Sequence, residues 1–110
     1  MSDEEKRFIA DYLEPRRLAK ESTGYAYEPK PFPLGRKRTY TLDFREDLPD
    51  GTIVYYEVKG TTRTKKLRKP KPWMEADASV KLAWLVTLYP ELDVRVAFRD
   101  KAEWIIRKWD

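Results

Sequence analysis

The chain predicts an α/β fold in which helices flank a mixed β-sheet. Residues 53–59, IVYYEVK, are largely apolar on both faces until Glu57, which is typical of a central strand. Residues 80–88 carry apolar side chains at helical spacing, and apolar residues then alternate along 92–98. Because a strand–helix–strand unit requires a crossover connection, we expect at least one parallel strand pair beside antiparallel ones.

The N-terminal segment predicts a helix. Ser2 and Glu5 form the S-x-x-E pattern of a capping box, and the apolar spacing extends to about Leu13. Pro15 is expected to end or kink this helix.

The next segments predict short strands. Residues 25–28 are one candidate, and residues 29–35, PKPFPLG, hold three prolines typical of an extended connector or edge arm. Residues 40–44 predict a strand that pairs with residues 53–59 through a turn at 48–51, LPDG.

The C-terminal half predicts a helix, a strand and a second helix. Asp77 or Ser79 can cap the first helix, which Pro90 stops. Asp100 and Glu103 form another D-x-x-E pattern, which predicts a short final helix. We therefore expect one domain over residues 1–110.

The composition restricts the chemistry that the chain can perform. It contains no cysteine and no histidine, which excludes disulfides, thiolate or histidine metal sites and serine–histidine triads. Any catalysis must use carboxylates, lysine, tyrosine and bound metal. The N-terminus lacks the pattern of a secretory signal, and no apolar run approaches membrane-spanning length, so we expect a cytoplasmic protein without a membrane partner.

Two clusters of basic residues suggest a polyanionic partner. The formal net charge is +4 and the sequence pI is about 9.3. Both clusters flank the acidic residues discussed next, which favours phosphate contacts over the alternative of solvated loops. The basic loop spans residues 60–75. The candidate DNA-binding residues are Arg36, Lys37, Arg38, Arg63, Lys65, Lys66, Arg68 and Lys69.

Three residues on adjacent strands form the candidate catalytic site. Glu57 and Lys59 point to the same face of one strand, and a hairpin can bring Asp43 beside them. Two carboxylates can hold a hard divalent cation, and an ammonium can contact a phosphate or the attacking water. The alternatives are a solvated aspartate and a Glu57–Lys59 ion pair, which contributes only about 0–1 kcal/mol when exposed.

The order of these features resembles the pattern of the PD-(D/E)XK nuclease superfamily: an acid before a hairpin, then an E-x-K motif and a crossover helix. Within it, the chain is similar to the phage endonuclease I type of Holliday-junction resolvase. The matching segments are TYTLDF, TIVYYEVKG, PELDVRVAF, the N-terminal S-x-x-E pattern and the YAYE strand.

The resemblance implies roles for individual residues. Asp43 and Glu57 would bind Mg²⁺ or Mn²⁺, the backbone carbonyl of Val58 would face the metal, and Lys59 would assist the attacking water. An acid on the first helix would complete the catalytic and metal site. Glu5 fits best, and Glu4 is the alternative.

The resemblance also implies a restriction-endonuclease-like core and an intertwined homodimer. Residues 29–38 would form the bridging arm, and each site would combine Glu5 of one chain with residues of the other. The expected activity is metal-dependent hydrolysis of branched DNA during recombination, in the host cytoplasm if the protein is phage-encoded. Two alternatives stay open: a nicking or replication-linked nuclease without junction preference, and a non-catalytic DNA-binding module.

Overall fold

The computed structural model describes residues 1–62 and 70–109. Its helices are α1 (Asp3–Phe8), α2 (Glu14–Leu18) and α3 (Ala76–Leu88), with a π-helical segment (Ile9–Leu13) joining the first two. Its strands are β1 (Gly24–Tyr27), β2 (Pro31–Gly35), β3 (Arg38–Thr41), β4 (Phe44–Asp47), β5 (Ile53–Val58), β6 (Thr61–Thr62), β7 (Lys71–Pro72), β8 (Asp93–Asp100) and β9 (Glu103–Lys108).

Five strands form a mixed sheet in the order β1-β4-β5-β8-β9. The β5–β8 pair is parallel because α3 lies on the crossover between them, and the other three pairs are antiparallel. The predicted mixed α/β architecture and the central position of β5 are therefore confirmed. Two ribbons, β2–β3 and β6–β7, lie outside this sheet.

The sheet separates two apolar cores. On one face, Val54, Tyr56 and Val58 pack with residues of the N-terminal helices such as Phe8 and Leu13. On the other face, Tyr55 packs with side chains from α3 and from the β2–β3 ribbon. The alternation predicted for β5 is thus confirmed, and it places Glu57 on the α3 side of the sheet.

The N-terminal capping box is present as predicted. The Ser2 N–H donates to Glu5 Oε1 at 3.1 Å, and the Glu5 N–H donates to Ser2 Oγ at 3.2 Å. The helix does not stop near Leu13, however. A π-helical turn, in which the Glu14 N–H bonds to the carbonyl of Ile9, lets Pro15 occupy the first turn of α2, where its missing N–H costs little.

The proline-rich segment folds onto its own chain. β2 and β3 form a hairpin whose turn has positive φ at Gly35, Arg36 and Lys37. Phe32 is buried against the core beside α3, and the Tyr89 hydroxyl donates to the carbonyl of Pro33 at 2.7 Å. Residues 29–38 therefore contribute to a hairpin and do not form an extended connector, and their role as a bridging arm stays a prediction.

The strand predicted over residues 40–44 is divided. β3 ends at Thr41 and β4 begins at Phe44, because the chain passes there from the hairpin to the main sheet. Leu42 is fully buried at this crossing. Asp43 consequently lies between β3 and β4, and the prediction of one continuous strand over residues 40–44 is wrong.

The predicted C-terminal helix is also wrong. Residues 103–108 form β9, which pairs with β8 from Asp100↔Glu103 onward. Lys101 adopts φ 59° in the two-residue turn, so the D-x-x-E pattern spans a hairpin and not a helix start. The helix α3 begins at Ala76 after Glu75, one residue before the first predicted cap. Among the described residues, none of the helices combines the length and the apolar character needed to cross a membrane.

Candidate functional site

Asp43 and Glu57 lie side by side at the point where β4 begins and β5 ends. The β4–β5 register pairs Phe44 with Tyr56, so its continuation places Asp43 opposite Glu57. The Asp43 N–H donates to Glu57 Oε1 at 3.2 Å. The Val58 N–H in turn donates to Asp43 Oδ2 at 2.8 Å. These two hydrogen bonds fix the carboxylates next to each other.

Glu57 is buried with two further partners on its second oxygen. Its side chain is only 4% exposed. Lys59 Nζ lies 3.2 Å from Oε2, and the Tyr40 hydroxyl donates to the same oxygen at 2.9 Å. Lys59 is therefore held beside the carboxylates by an ion pair that is shielded from solvent, where such pairs are screened less than at an open surface.

The electrostatics of the pair oppose full ionisation. Burial, followed by the negative charge of Glu57, raises the pKa of Asp43 to about 7, with a smaller contribution from Glu5. Burial also raises the pKa of Glu57, although Lys59 and Tyr40 act in the opposite direction. Two carboxylates held this close create a negative potential that a bound cation would relieve.

Glu5 approaches the pair from α1. Its Oε1 accepts a hydrogen bond from the Ser2 N–H. Its Oε2 is buried, and no donor within the described parts of the chain forms a hydrogen bond to it. Burial opposes the ionisation of Glu5, but hydrogen bonds from Ser2 and a favourable interaction with the Tyr27 hydroxyl outweigh it and lower the pKa. The charge of Glu5 reaches Asp43 of the same chain, since it helps to raise the pKa of that aspartate.

A basic cleft opens next to these acids. It has a volume of about 300 Å³ and is lined by Glu4, Lys59, Gly60, Thr61, Arg99 and Lys101. A second depression of about 300 Å³ shares Glu4, Lys59 and Gly60 and extends to Val58, Trp73 and the start of α3. Trp73 is 56% exposed there, so its ring is available for stacking.

Three of the four predicted catalytic residues, Asp43, Glu57 and Lys59, are joined within one chain by hydrogen bonds and an ion pair. The fourth, Glu5, lies on α1, and its charge contributes to the raised pKa of Asp43. Glu4, the alternative helix acid, lines the cleft. Arg36, Lys37 and Arg38 lie at the tip of the β2–β3 hairpin, away from the cleft lining. The other predicted DNA-binding residues, Arg63, Lys65, Lys66, Arg68 and Lys69, lie outside the described residues.

Sequence reasoning missed three residues near the site. The sequence pattern assigns Tyr40 only to a strand, because its hydrogen bond to Glu57 depends on how the β2–β3 hairpin packs. Arg99 and Lys101 line the cleft because β8 and β9 form a hairpin there, in place of the predicted helix. The alternation of Val94, Val96 and Phe98 was the available signal, since it predicts that the strand continues to Arg99.

The oxygen donors fit a divalent cation only in part. Within residues 1–62 and 70–109, no group of three or more acidic side chains is positioned to hold a metal ion. Mg²⁺, however, is commonly bound by one or two carboxylates, with water and substrate phosphate as the remaining ligands. Asp43 and Glu57 supply such a pair, and the unpartnered Oε2 of Glu5 is a further oxygen nearby. The role of the Val58 carbonyl stays a prediction.

No protein-family model matches the chain, and no curated protein or solved structure matches it significantly. The resemblance to PD-(D/E)XK nucleases therefore stays an expectation from the quoted motifs.

Proposed function

We propose that the chain is a divalent-cation-dependent endodeoxyribonuclease that hydrolyses phosphodiester bonds. One observation carries the proposal: Asp43 and Glu57 are adjacent and interlocked, and Lys59 is paired to Glu57, at the edge of a basic cleft. Buried acids whose pKa is raised by burial and a neighbouring charge, as for Asp43, are found preferentially at functional sites.

Each residue of the site would have a separate role in hydrolysis. When bound, Mg²⁺ or Mn²⁺ supplies Lewis acidity and an acidified water. Asp43 and Glu57 would hold the cation, with Glu5 as an additional acid on the α1 side. Lys59 would stabilise negative charge as it develops on the phosphate, or orient the nucleophilic water. Tyr40 would keep Glu57 in position through its hydroxyl.

Branched DNA is the proposed substrate, and its basis is the resemblance to Holliday-junction resolvases. A nicking or replication-linked nuclease without junction preference would use the same site. The homodimer and the cytoplasmic location belong to the same proposal. All of these depend on cleavage, which is the first property to test.

A non-catalytic DNA-binding module is the second candidate, and a specific observation favours it. Both oxygens of Glu57 already accept hydrogen bonds or an ion pair from the chain, as expected for a purely structural acid. In that case the acids would stabilise the β4–β5 edge, and the basic residues alone would bind DNA.

The decisive experiment is a cleavage assay on a synthetic four-way junction and a matched linear duplex, with Mg²⁺, with Mn²⁺ and with EDTA. We expect cation-dependent cleavage that is stronger on the junction. D43N should reduce the rate by about 100-fold or more, since it removes one charged oxygen ligand. The matched control is D47N at the other end of β4, where Asp47 pairs with Arg45 outside the site.

Each result has a clear meaning. Cleavage by D43N at the wild-type rate would reject the assigned site. Binding without cleavage in either cation would reject the nuclease and leave the DNA-binding module. Equal cleavage of junction and duplex would reject only the junction preference.

A further inference from the structure

The basic cleft contains two cations that the catalytic proposal does not use. Arg99 is half-buried near the end of β8, and Lys101 is exposed in the β8–β9 turn. Neither forms an ion pair with an acid in the described parts of the chain, whereas Arg16, Arg45 and Arg95 each do. Among the described residues that line the cleft, Glu4 is the only acid, beside the three cations Lys59, Arg99 and Lys101.

The cleft is joined rigidly to the candidate catalytic strand. The Lys59 N–H donates to the Ala97 carbonyl at 2.9 Å, which extends the β5–β8 pairing past the acids. The Thr61 hydroxyl donates to the Arg99 carbonyl at 2.5 Å and accepts from the Arg99 N–H at 3.1 Å. These bonds fix the backbone of Arg99 relative to the backbone of Lys59, and the Lys59 side chain is paired with Glu57.

We infer that Arg99 and Lys101 bind a backbone phosphate of the DNA strand next to the one that is cut. The inference rests on the proposed function, because it takes the acids as the cutting position. A strand whose scissile phosphate meets Lys59 would continue along the cleft, where these cations face it. Arginine and lysine side chains are the usual phosphate ligands in protein–DNA contacts.

The assigned role is positioning and not catalysis. Lys59 lines the cleft together with Arg99 and Lys101, whereas Asp43 and Glu57 do not line it, so these two cations would hold the substrate without touching the reacting phosphate. Their contribution should therefore appear in KM and in DNA affinity, and kcat should change little. Because the contact is electrostatic, it should also contribute to the salt dependence of binding.

The test compares two variants that lose the same charge from the same hairpin. R99Q/K101N removes both cleft cations, and asparagine tolerates the positive φ at position 101. The control, R107Q/K108Q, removes two exposed cations of β9, which pair with Val96 and Arg95 away from the turn. Thermal melts establish that both variants are folded.

Fluorescence anisotropy in EDTA measures the binding of a labelled DNA duplex and four-way junction at several salt concentrations. We expect R99Q/K101N to weaken binding by about tenfold or more and to reduce the magnitude of the slope of log K against log salt by about 1, the value for one neutralised phosphate. The control should change affinity by less than about threefold, as expected for cations that contact no phosphate. In the cleavage assay, R99Q/K101N should raise KM with kcat within about twofold of wild type.

The outcomes separate this inference from the function on which it rests. If both double variants bind alike, or if R99Q/K101N lowers kcat while KM stays constant, the inference is overturned although the nuclease stands. If wild type cuts no DNA but R99Q/K101N still loses affinity selectively, the phosphate contact is supported and the proposed catalysis is rejected.

Discussion

At the level of single residues, Asp43 is the most unusual group in the chain. A carboxylate normally ionises well below neutral pH, yet burial and the charge of Glu57 raise the pKa of Asp43 to about 7. The neighbouring charge of Glu57 destabilises the ionised form of Asp43 when no cation is bound, as expected for a site that would bind a cation. The same arrangement leads to a measurable dependence of stability on pH.

Replacing Asp43 with asparagine should reveal this dependence in EDTA. Because the folded-state pKa of Asp43 is raised from 3.8 to about 7, its favourable contribution is complete below pH 3.8 and is lost as the pH rises to about 7. The difference in free energy of unfolding, wild type minus D43N, should fall by on the order of 2–4 kcal/mol over that range. Urea unfolding at each pH measures this difference.

The D47N variant controls for the loss of a carboxylate elsewhere on β4. Asp47 is paired with Arg45 near the surface, so its variant should not reproduce this trend. Titrating groups far from Asp43 act equally in wild type and variant and cancel in the difference, whereas Glu57 interacts with Asp43, so the difference reports the titration of the pair. A difference that does not change with pH would contradict the proposed strain between Asp43 and Glu57.

Whether a site residue could be predicted from the sequence depends on how many residues separate it from its contacts along the chain. Glu57 and Lys59 follow from the alternation of a single strand, and Asp43 follows from one hairpin. The alternation of residues 94–98 predicts a strand that continues to Arg99, but it does not predict the place of Arg99 in the cleft, and no local pattern predicts the hydrogen bond of Tyr40; both depend on how the β8–β9 and β2–β3 hairpins pack. Such contacts join distant segments, and local sequence patterns do not specify them.

At the level of elements, the docking of the N-terminal helices on the sheet depends on a buried polar contact. Glu46 of β4 is completely buried, where it accepts from Arg16 Nε at 2.8 Å and from the Tyr56 hydroxyl at 2.8 Å. The Arg16 guanidinium also packs over the Tyr12 ring at 5.1 Å. Arg16 thus connects α2 to the sheet and holds the helix pair against the core.

Arg16→Met should destabilise the protein by about 3 kcal/mol, because it leaves a buried carboxylate without its cation. Arg17→Met is the matched control one residue along the helix. Arg17 pairs with Glu14 at a more exposed site, and its loss should cost much less than the loss of Arg16. Urea unfolding of both variants measures the two costs. Equal costs would show that the Arg16–Glu46 contact does not anchor the helices.

The elements also show where sequence patterns are ambiguous. The Ser2–Glu5 capping box was predicted and is present, because a helix with a buried apolar face follows it. Asp100 and Glu103 have the same spacing but face each other across a hairpin. Ile105 and Ile106, two β-branched residues that favour strands, were the evidence against a helix there.

At the level of the whole molecule, the main question is whether a site belongs to one chain or to two. The resemblance to resolvases implies that Glu5 serves the Asp43 of a partner chain. In the structure, the charge of Glu5 contributes to the raised pKa of Asp43 in the same chain, and the β2–β3 hairpin packs against its own α3. We therefore expect a site assembled within one chain, whether or not the protein dimerises.

Mixing two inactive variants distinguishes these arrangements. E5Q and D43N are unfolded together in urea, refolded as an equal mixture and assayed for Mg²⁺-dependent cleavage. If each site is assembled within one chain, every site in the mixture carries one lesion, and activity should stay at the level of the separate variants. If sites are shared between chains, a mixed dimer regains one intact site from Glu5 of the D43N chain and Asp43 of the E5Q chain.

We expect no recovery of cleavage activity in the mixture. A rise toward a quarter of wild-type activity, the share of intact sites in a random mixture of dimers, would show that the sites are shared and overturn the single-chain assignment.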